Sequence, residues 1–167
     1  GAAMADVDGD RDLDLLVTTL GGPVFCFIND GHGTFTDATG SSGLRGNAGA
    51  TTMALADIDG DDDLDLYIAN YKKSTVKDQY TPQQLAFDRV VQKTSAGYQI
   101  APEFQQHYTL DLVNGEILRR YEIAEPDDLY LNDGTGRFLA VSFTDGRFTD
   151  ERGQPVSELR DWGLTVR

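Results

Sequence analysis

Two nine-residue stretches, DVDGDRDLD at 6–14 and DIDGDDDLD at 57–65, place Asp at relative positions 1, 3, 5, 7 and 9 and Gly at position 4. Carboxylates this dense repel one another and raise one another's pKa. Alternation through a tight loop turns successive oxygens toward one centre, and a cation held there removes the repulsion. Hard oxygen donors in that number suit Ca²⁺, which accepts about six to eight of them, better than Mg²⁺, which keeps more of its water. The bland alternative is an acidic solvated turn, and two copies with one spacing argue against it. An EF-hand fails on its twelfth loop position, which is Val17 in one copy and Ile68 in the other rather than an acidic ligand. Both copies run into strand-like sequence, LDLLVTTL and LDLYIAN, not into a long amphipathic helix.

These two windows hold −10 of the formal net charge of −14, so the acidity is local and the other 149 residues are ordinary for a soluble domain. A pI near 4.3 argues against a nucleic-acid partner, which needs clustered Lys and Arg. The longest apolar run, Val24 to Ile28, is far short of a membrane span, so no membrane insertion is expected. One cysteine excludes an internal disulfide framework, and Cys26 in PVFCFI reads as a small buried hydrophobe. The opening GAAMADVDGD reads as the middle of a pattern, as in a fragment.

The repeat extends beyond the loops. AMADVDGDRDLDLLV recurs as ALADIDGDDDLDLYIAN at an offset of 51 residues, and CFINDGHGTF recurs as LYLNDGTGRF at an offset of 103. The second copy therefore carries about fifty extra residues, from 71 to 126. Each unit reads as four strands. They are Ala2 to Ala5, Leu13 to Thr19, Val24 to Asn29 and a strand including Thr34 to Asp37, then Ala50 to Ala56, Leu64 to Asn70, Asp128 to Asn132 and Arg137 to Phe143. The N-D-G turns at 29–31 and 132–134 supply residues that tolerate positive φ. A third copy begins at WGLTVR, 162–167. Four strands per unit of about fifty residues is the period of a β-propeller blade. The expected fold is all-β: a partial β-propeller of two to three four-stranded blades with calcium-binding loops, carrying a helix-plus-hairpin insertion. Residues 1–70 form one blade and half of the next, 71–126 the insertion, and 127–167 the remainder, all within one propeller domain.

Within the insertion, Thr81-Pro82-Gln83-Gln84 has the form of a capping box, and Leu85, Phe87, Val90 and Val91 predict a helix ending near Gly97. YTLDLV and EILRRYEI around Asn114-Gly115 predict a hairpin. Its positive residues, Lys72, Lys73, Lys77, Arg89, Lys93, Arg119 and Arg120, are scattered and read as solvated surface.

ADVDGDRDLDLLV, ADIDGDDDLDLYIAN and LYLNDGTGRF resemble the FG-GAP/VCBS repeat family, the calcium-binding blades of integrin-like propellers. The order of TDATGSSGL, Asp loop and later N-D-G hairpin is most similar to the cartilage-acidic-protein branch, often followed by an ASPIC/UnbV domain. The resemblance implies side-chain ligands at loop positions 1, 3, 5 and 9 and a backbone carbonyl at position 7. Carried over, one Ca²⁺ site uses Asp6, Asp8, Asp10 and Asp14 with the Asp12 carbonyl. The other uses Asp57, Asp59, Asp61 and Asp65 with the Asp63 carbonyl. Where the family usually has Gly at position 6, this chain has Arg11 and Asp62; if positive φ is needed there, Asp tolerates it better than Arg.

No catalytic set is visible in the sequence. His32 sits in a G-H-G hairpin and His107 follows PEFQQ on a short helix, while Ser41-Ser42 lacks a nucleophile elbow and no Gly-rich phosphate loop occurs. Tyr130 and Trp162 read as core or inter-blade packing. The expectation is a noncatalytic, calcium-stabilised repeat module for adhesion or binding to an extracellular protein or glycan, with calcium structural and the remaining blades supplied by the parent chain. Its location is extracellular, cell-surface or periplasmic, where millimolar calcium fills such loops. The alternative is the propeller part of a secreted polysaccharide-active enzyme whose active site lies outside this chain.

Overall fold

The small residues Ala2–Ala5 and the alternating DLLV of Asp14–Val17 form strands β1 and β2, which pair antiparallel with Ala2 opposite Val17 and Ala5 opposite Asp14. Strand β3 (Phe25–Asn29) adds to β2 and β4 (Phe35–Asp37) adds to β3, giving a sheet of order β1-β2-β3-β4. The second sheet repeats this plan with β5 (Ala50–Ala56), β6 (Asp65–Asn70), β11 (Asp128–Asn132) and β12 (Phe138–Val141), each antiparallel to its neighbour. The computed structural model describes residues 1–149 and 152–156, so the expected third copy at 162–167, with Trp162, lies outside the described residues.

The chain divides into two units, residues 1–73 with 124–167 and residues 74–123. In the first unit the two four-stranded sheets are meander blades of a partial β-propeller, so the all-β architecture expected from the repeat is present. Period-2 alternation sends Leu16 and Cys26 from the first blade, and Leu66, Ile68 and Tyr130 from the second, into one core with Val7 and Phe138. Two main-chain bonds tie the blades together: Gly136 N–H donates to the Val7 carbonyl at 2.9 Å and Phe138 N–H to the Ser42 carbonyl at 2.7 Å. Gly43 lies where a Cβ would come within 2.3 Å of the Phe138 carbonyl oxygen, so only glycine fits beside that bond.

The second unit has its own core of Val76, Val90, Val91, Ile100, Ala101, Phe104 and Tyr108. It contains the short helices α1 (Val76–Gln79) and α2 (Phe87–Val90) and two hairpins. The hairpin expected around Asn114-Gly115 is β9 (Tyr108–Val113) with β10 (Glu116–Glu122), and both turn residues have positive φ, 53° and 82°. The helix expected from Thr81 to near Gly97 is not formed. The Thr81–Gln84 cap does form, with Thr81 N–H donating to Gln84 Oε1 at 2.9 Å, but Ala86 is extended and breaks the turn. Only 87–90 is helical, and Val91–Thr94 becomes β7, paired with β8 (Gly97–Ile100). β-Branched Val91 favours the strand that begins there, and one helical turn has too few bonds to propagate against that pairing. Among the described residues no helix is long and apolar enough to cross a membrane.

Candidate metal centres

Each Asp-rich loop connects the first two strands of a blade, and the same backbone plan builds both. Position 1 organises the turn: Asp6 accepts N–H bonds from Gly9 (2.8 Å) and Arg11 (2.9 Å), and Asp57 accepts from Gly60 (2.7 Å) and Asp62 (3.3 Å). Position 5 holds the exit, with Asp10 accepting from Asp12 N–H and Asp61 from Asp63 N–H. Position 6 is left-handed in both loops, Arg11 at φ 76° and Asp62 at φ 73°. The positive φ that glycine would supply is thus adopted by an arginine and an aspartate.

Position 9 has a different part. Asp14 and Asp65 are fully buried, and each carboxylate accepts two main-chain N–H bonds. Asp14 takes Val7 N–H and Asn29 N–H, both at 2.9 Å. Asp65 takes Ile58 N–H at 2.8 Å and Asn132 N–H at 2.9 Å. One side chain therefore fixes the start of the loop to the N-D-G turn of its own blade. Sequence reasoning placed Asn29 and Asn132 only as turn residues; their recurrence at a fixed place after each loop was the signal that they cooperate with it. Asn132 does more, since its Nδ2 donates to the Val7 carbonyl of the neighbouring blade at 2.8 Å.

Position 7 explains the glycine of N-D-G. A Cβ on Gly31 would lie 2.9 Å from Asp12 Oδ2, and one on Gly134 would lie 2.5 Å from Asp63 Oδ2. Both glycines also have positive φ, 70° and 73°.

The carboxylate oxygens of Asp6, Asp8 and Asp14 lie within 4.8 Å of one another, and so do those of Asp57, Asp59 and Asp61. Asp10 is outside the first cluster and Asp65 outside the second, so the two copies share positions 1 and 3 and differ in the third member, position 9 in one and position 5 in the other. Nothing in their main-chain bonds accounts for the exchange. Removal from water, then the neighbouring carboxylates Asp14, Asp10 and Asp6, pushes the Asp8 carboxyl up. Asp59 is raised in the same way, first by desolvation and then by Asp61 and Asp65, and Asp63 by desolvation, Asp61 and Asp133. Asp12 is also raised, by desolvation and then Asp10 and Asp14, and its Oδ1 is buried without a hydrogen-bond partner. Gathered anionic oxygens, lifted proton affinity and an unspent acceptor are a donor set that fits a hard divalent cation.

The remaining candidates lie elsewhere. His32 is exposed, its Nδ1 2.8 Å from the Asp30 carbonyl oxygen, and His107 is buried edge-on to Tyr80 with ring centroids 5.6 Å apart. Tyr130 is core, and its hydroxyl is 3.3 Å from both the main-chain N–H and the carbonyl oxygen of Arg45. One of the cations expected to be solvated is partly withdrawn: Arg120 is half-buried among aromatic rings, while Lys73 stays exposed and its Nζ reaches the Asn47 carbonyl and Oδ1, each at 3.1 Å. Such contacts depend on where strands and loops return in space, which spacing along the chain does not display.

No curated protein matches the chain. Residues 6–68, the stretch holding both Asp loops, match the model of the FG-GAP-like repeat, and that match supports the FG-GAP family for this part of the chain.

Proposed function

We propose that the chain is part of a calcium-stabilised β-propeller module that binds a protein or glycan outside the cell and performs no chemistry itself. The observation that carries this reading is the gathering of three carboxylates in each loop. Oxygens of Asp6, Asp8 and Asp14, and of Asp57, Asp59 and Asp61, converge within 4.8 Å, while the buried Asp14 and Asp65 also hold main-chain N–H groups. A cation bound there neutralises the cluster and ties the loop to its blade, a structural service that needs no contact with substrate. Asp14 can add an oxygen to the first site while keeping its main-chain bonds, since each carboxylate oxygen has two acceptor positions. Calcium of this weak-to-moderate class favours a secreted, cell-surface or periplasmic setting. The similarity to the cartilage-acidic-protein branch rests on the order of TDATGSSGL, Asp loop and N-D-G turn.

The test is calorimetric titration with Ca²⁺ and with Mg²⁺, paired with thermal unfolding, on the wild type, Asp8→Ala and Asp59→Ala. Two Ca²⁺ bound, one lost with each substitution, is the expected result. Stability then rises by about 2.7 kcal/mol at a hundredfold excess over the dissociation constant. An unchanged midpoint with no heat of binding would sink the calcium reading.

A further inference from the structure

The inserted unit contains a cavity of about 330 Å³ lined by Lys77, Tyr80, Pro82, Leu85, Tyr108 and Arg120. We propose that this cavity binds a carboxylated sugar ring, with Arg120 and Lys77 taking the carboxylate and Tyr80 and Tyr108 taking the ring's apolar face. The inference deepens the binding-module reading, on which it rests for the choice of a glycan.

Arg120 carries the argument. It lies on β10 beside Arg119, and successive residues of a strand face opposite ways. Arg119 is neutralised by Asp111, its Nε 2.5 Å from a carboxylate oxygen. Arg120, on the other face, has its guanidinium carbon 4.6 Å from the centre of the Tyr108 ring and 5.8 Å from that of Phe87. Its one hydrogen bond is long, Nη1 donating to the Leu85 carbonyl at 3.4 Å. Among the described residues no carboxylate pairs with it. Glu122, two residues along the same face, already accepts Val76 N–H at 2.7 Å. A guanidinium held against aromatic rings with most of its donors unspent is prepared for a planar, two-pronged acceptor, which a carboxylate is.

The rest of the lining specifies the body of the ligand. None of the six lining residues is Asp or Glu, whereas a second cavity of the same unit, about 400 Å³, is lined by Asp88 and Glu103 as well as Arg89. The polar groups at the first are an ammonium, a guanidinium and two phenols, all donors, which suit a ligand rich in acceptor oxygens. Its walls are Pro82, Leu85 and two tyrosine rings, which suit the apolar face of a pyranose. The volume is at the small end of ligand sites and fits one sugar residue. The unit carries five Lys and Arg against six Asp and Glu, so the strong negative charge of the chain is not local to this cavity.

The experiment is an ¹⁵N-¹H NMR titration of the full chain with sodium glucuronate, glucose and sodium sulfate at constant ionic strength. Glucuronate is expected to give saturable shifts at Lys77, Tyr80, Tyr108 and Arg120, with glucose at least about tenfold weaker. Arg120→Lys keeps the charge but not the fork and weakens glucuronate binding about tenfold. Lys77→Gln, on an exposed side chain, weakens it about threefold with an unchanged melting temperature. Equal response to sulfate and glucuronate, no saturable shift, or full binding by a folded Arg120→Lys chain would each overturn the proposal. The calcium titration reads only the loops at 6–14 and 57–65, so either reading can fail while the other stands.

Discussion

The carboxylate of Asp65 and the main-chain N–H of Asn132 lie 2.9 Å apart although sixty-seven residues separate them, and Asp14 and Asn29 make the same bond across fifteen. The buried aspartate is thus a support of the blade through its main-chain bonds. Asp65→Ala strands the N–H groups of Ile58 and Asn132 and is expected to cost about 2–4 kcal/mol. Asp10→Ala, on an exposed residue, should change metal-free stability by less than about 1 kcal/mol. Urea unfolding in EDTA separates the two, and equal losses would refute the distinction.

Arg11 adopts the left-handed conformation that glycine adopts freely. Arg11→Gly removes that strain but adds freedom to the unfolded chain, and the first effect is the larger. The substitution should stabilise the metal-free chain by up to about 1 kcal/mol and leave Asp6 able to accept the same N–H. A lower urea midpoint would show that the arginine side chain contributes more than its backbone costs.

Asp8, Asp12, Asp59 and Asp63 all hold their protons more tightly in the folded chain than the ordinary 3.8, chiefly through desolvation and then through neighbouring carboxylates. For an acid with a raised folded pKa, the folded state binds more protons, so stability falls as pH rises through that window and returns as pH falls. In EDTA the melting temperature should therefore rise as pH drops from neutral toward 3.8. Below that point the lowered carboxyls Asp30, Asp37, Asp78, Asp133 and Asp145, each held down by hydrogen bonds, lose their stabilising charge and reverse the trend. Saturating Ca²⁺ should flatten the rise, and the paired Asp59→Asn, Asp63→Asn chain should halve it. A melting temperature that falls steadily on acidification in EDTA would contradict this assignment.

Cys26 is fully buried in the inter-blade core, and burial pushes its thiol up to about 11. At pH 8 about one thiol in a thousand is ionised. Ellman's reagent should label the chain only as it unfolds, with a labelling midpoint in urea equal to that of circular dichroism. Rapid labelling of the folded chain would show that the two blades open at this seam.

The insertion leaves and rejoins the second blade between β6 and β11, which are neighbours in one sheet, and Glu125 N–H donates to the Tyr71 carbonyl at 2.8 Å at its base. Residues 74–123 have a separate core. Replacing 74–123 by a short Gly-Asn-Gly link should preserve the β-sheet circular dichroism of the blades and any calcium response of the loops at 6–14 and 57–65. Loss of the calcium response in that deletion would mean the loops depend on the insertion.

The blades were legible because their signals are local. The starts and ends of Ala2–Ala5, Ala50–Ala56 and Asp128–Asn132 follow from short apolar runs bounded by Asp and Gly. The loops were legible because identical spacing recurred. Two things were not. The helix expected after Thr81 had the right cap and a suitable period, but Val91 pairs with Ile100 across a tight hairpin, a local alternative that the helical period masked. The buried pairing of Asp65 with Asn132 was hidden because all six aspartates of that loop look alike in sequence, and only the returning strand selects which one leaves the solvent.

The placement of the inserted residues also sets the order in which the chain can acquire its structure. Every strand partner in the first blade is found within residues 2–37, whereas Asp128 must find Ile68 across sixty. Closing the longer loop costs more chain entropy before any pairing rewards it. Early folding of the inserted unit shortens that search by bringing its own ends under restraint. The first blade is therefore expected to pair its strands before the outer half of the second, whose rate should report on the insertion.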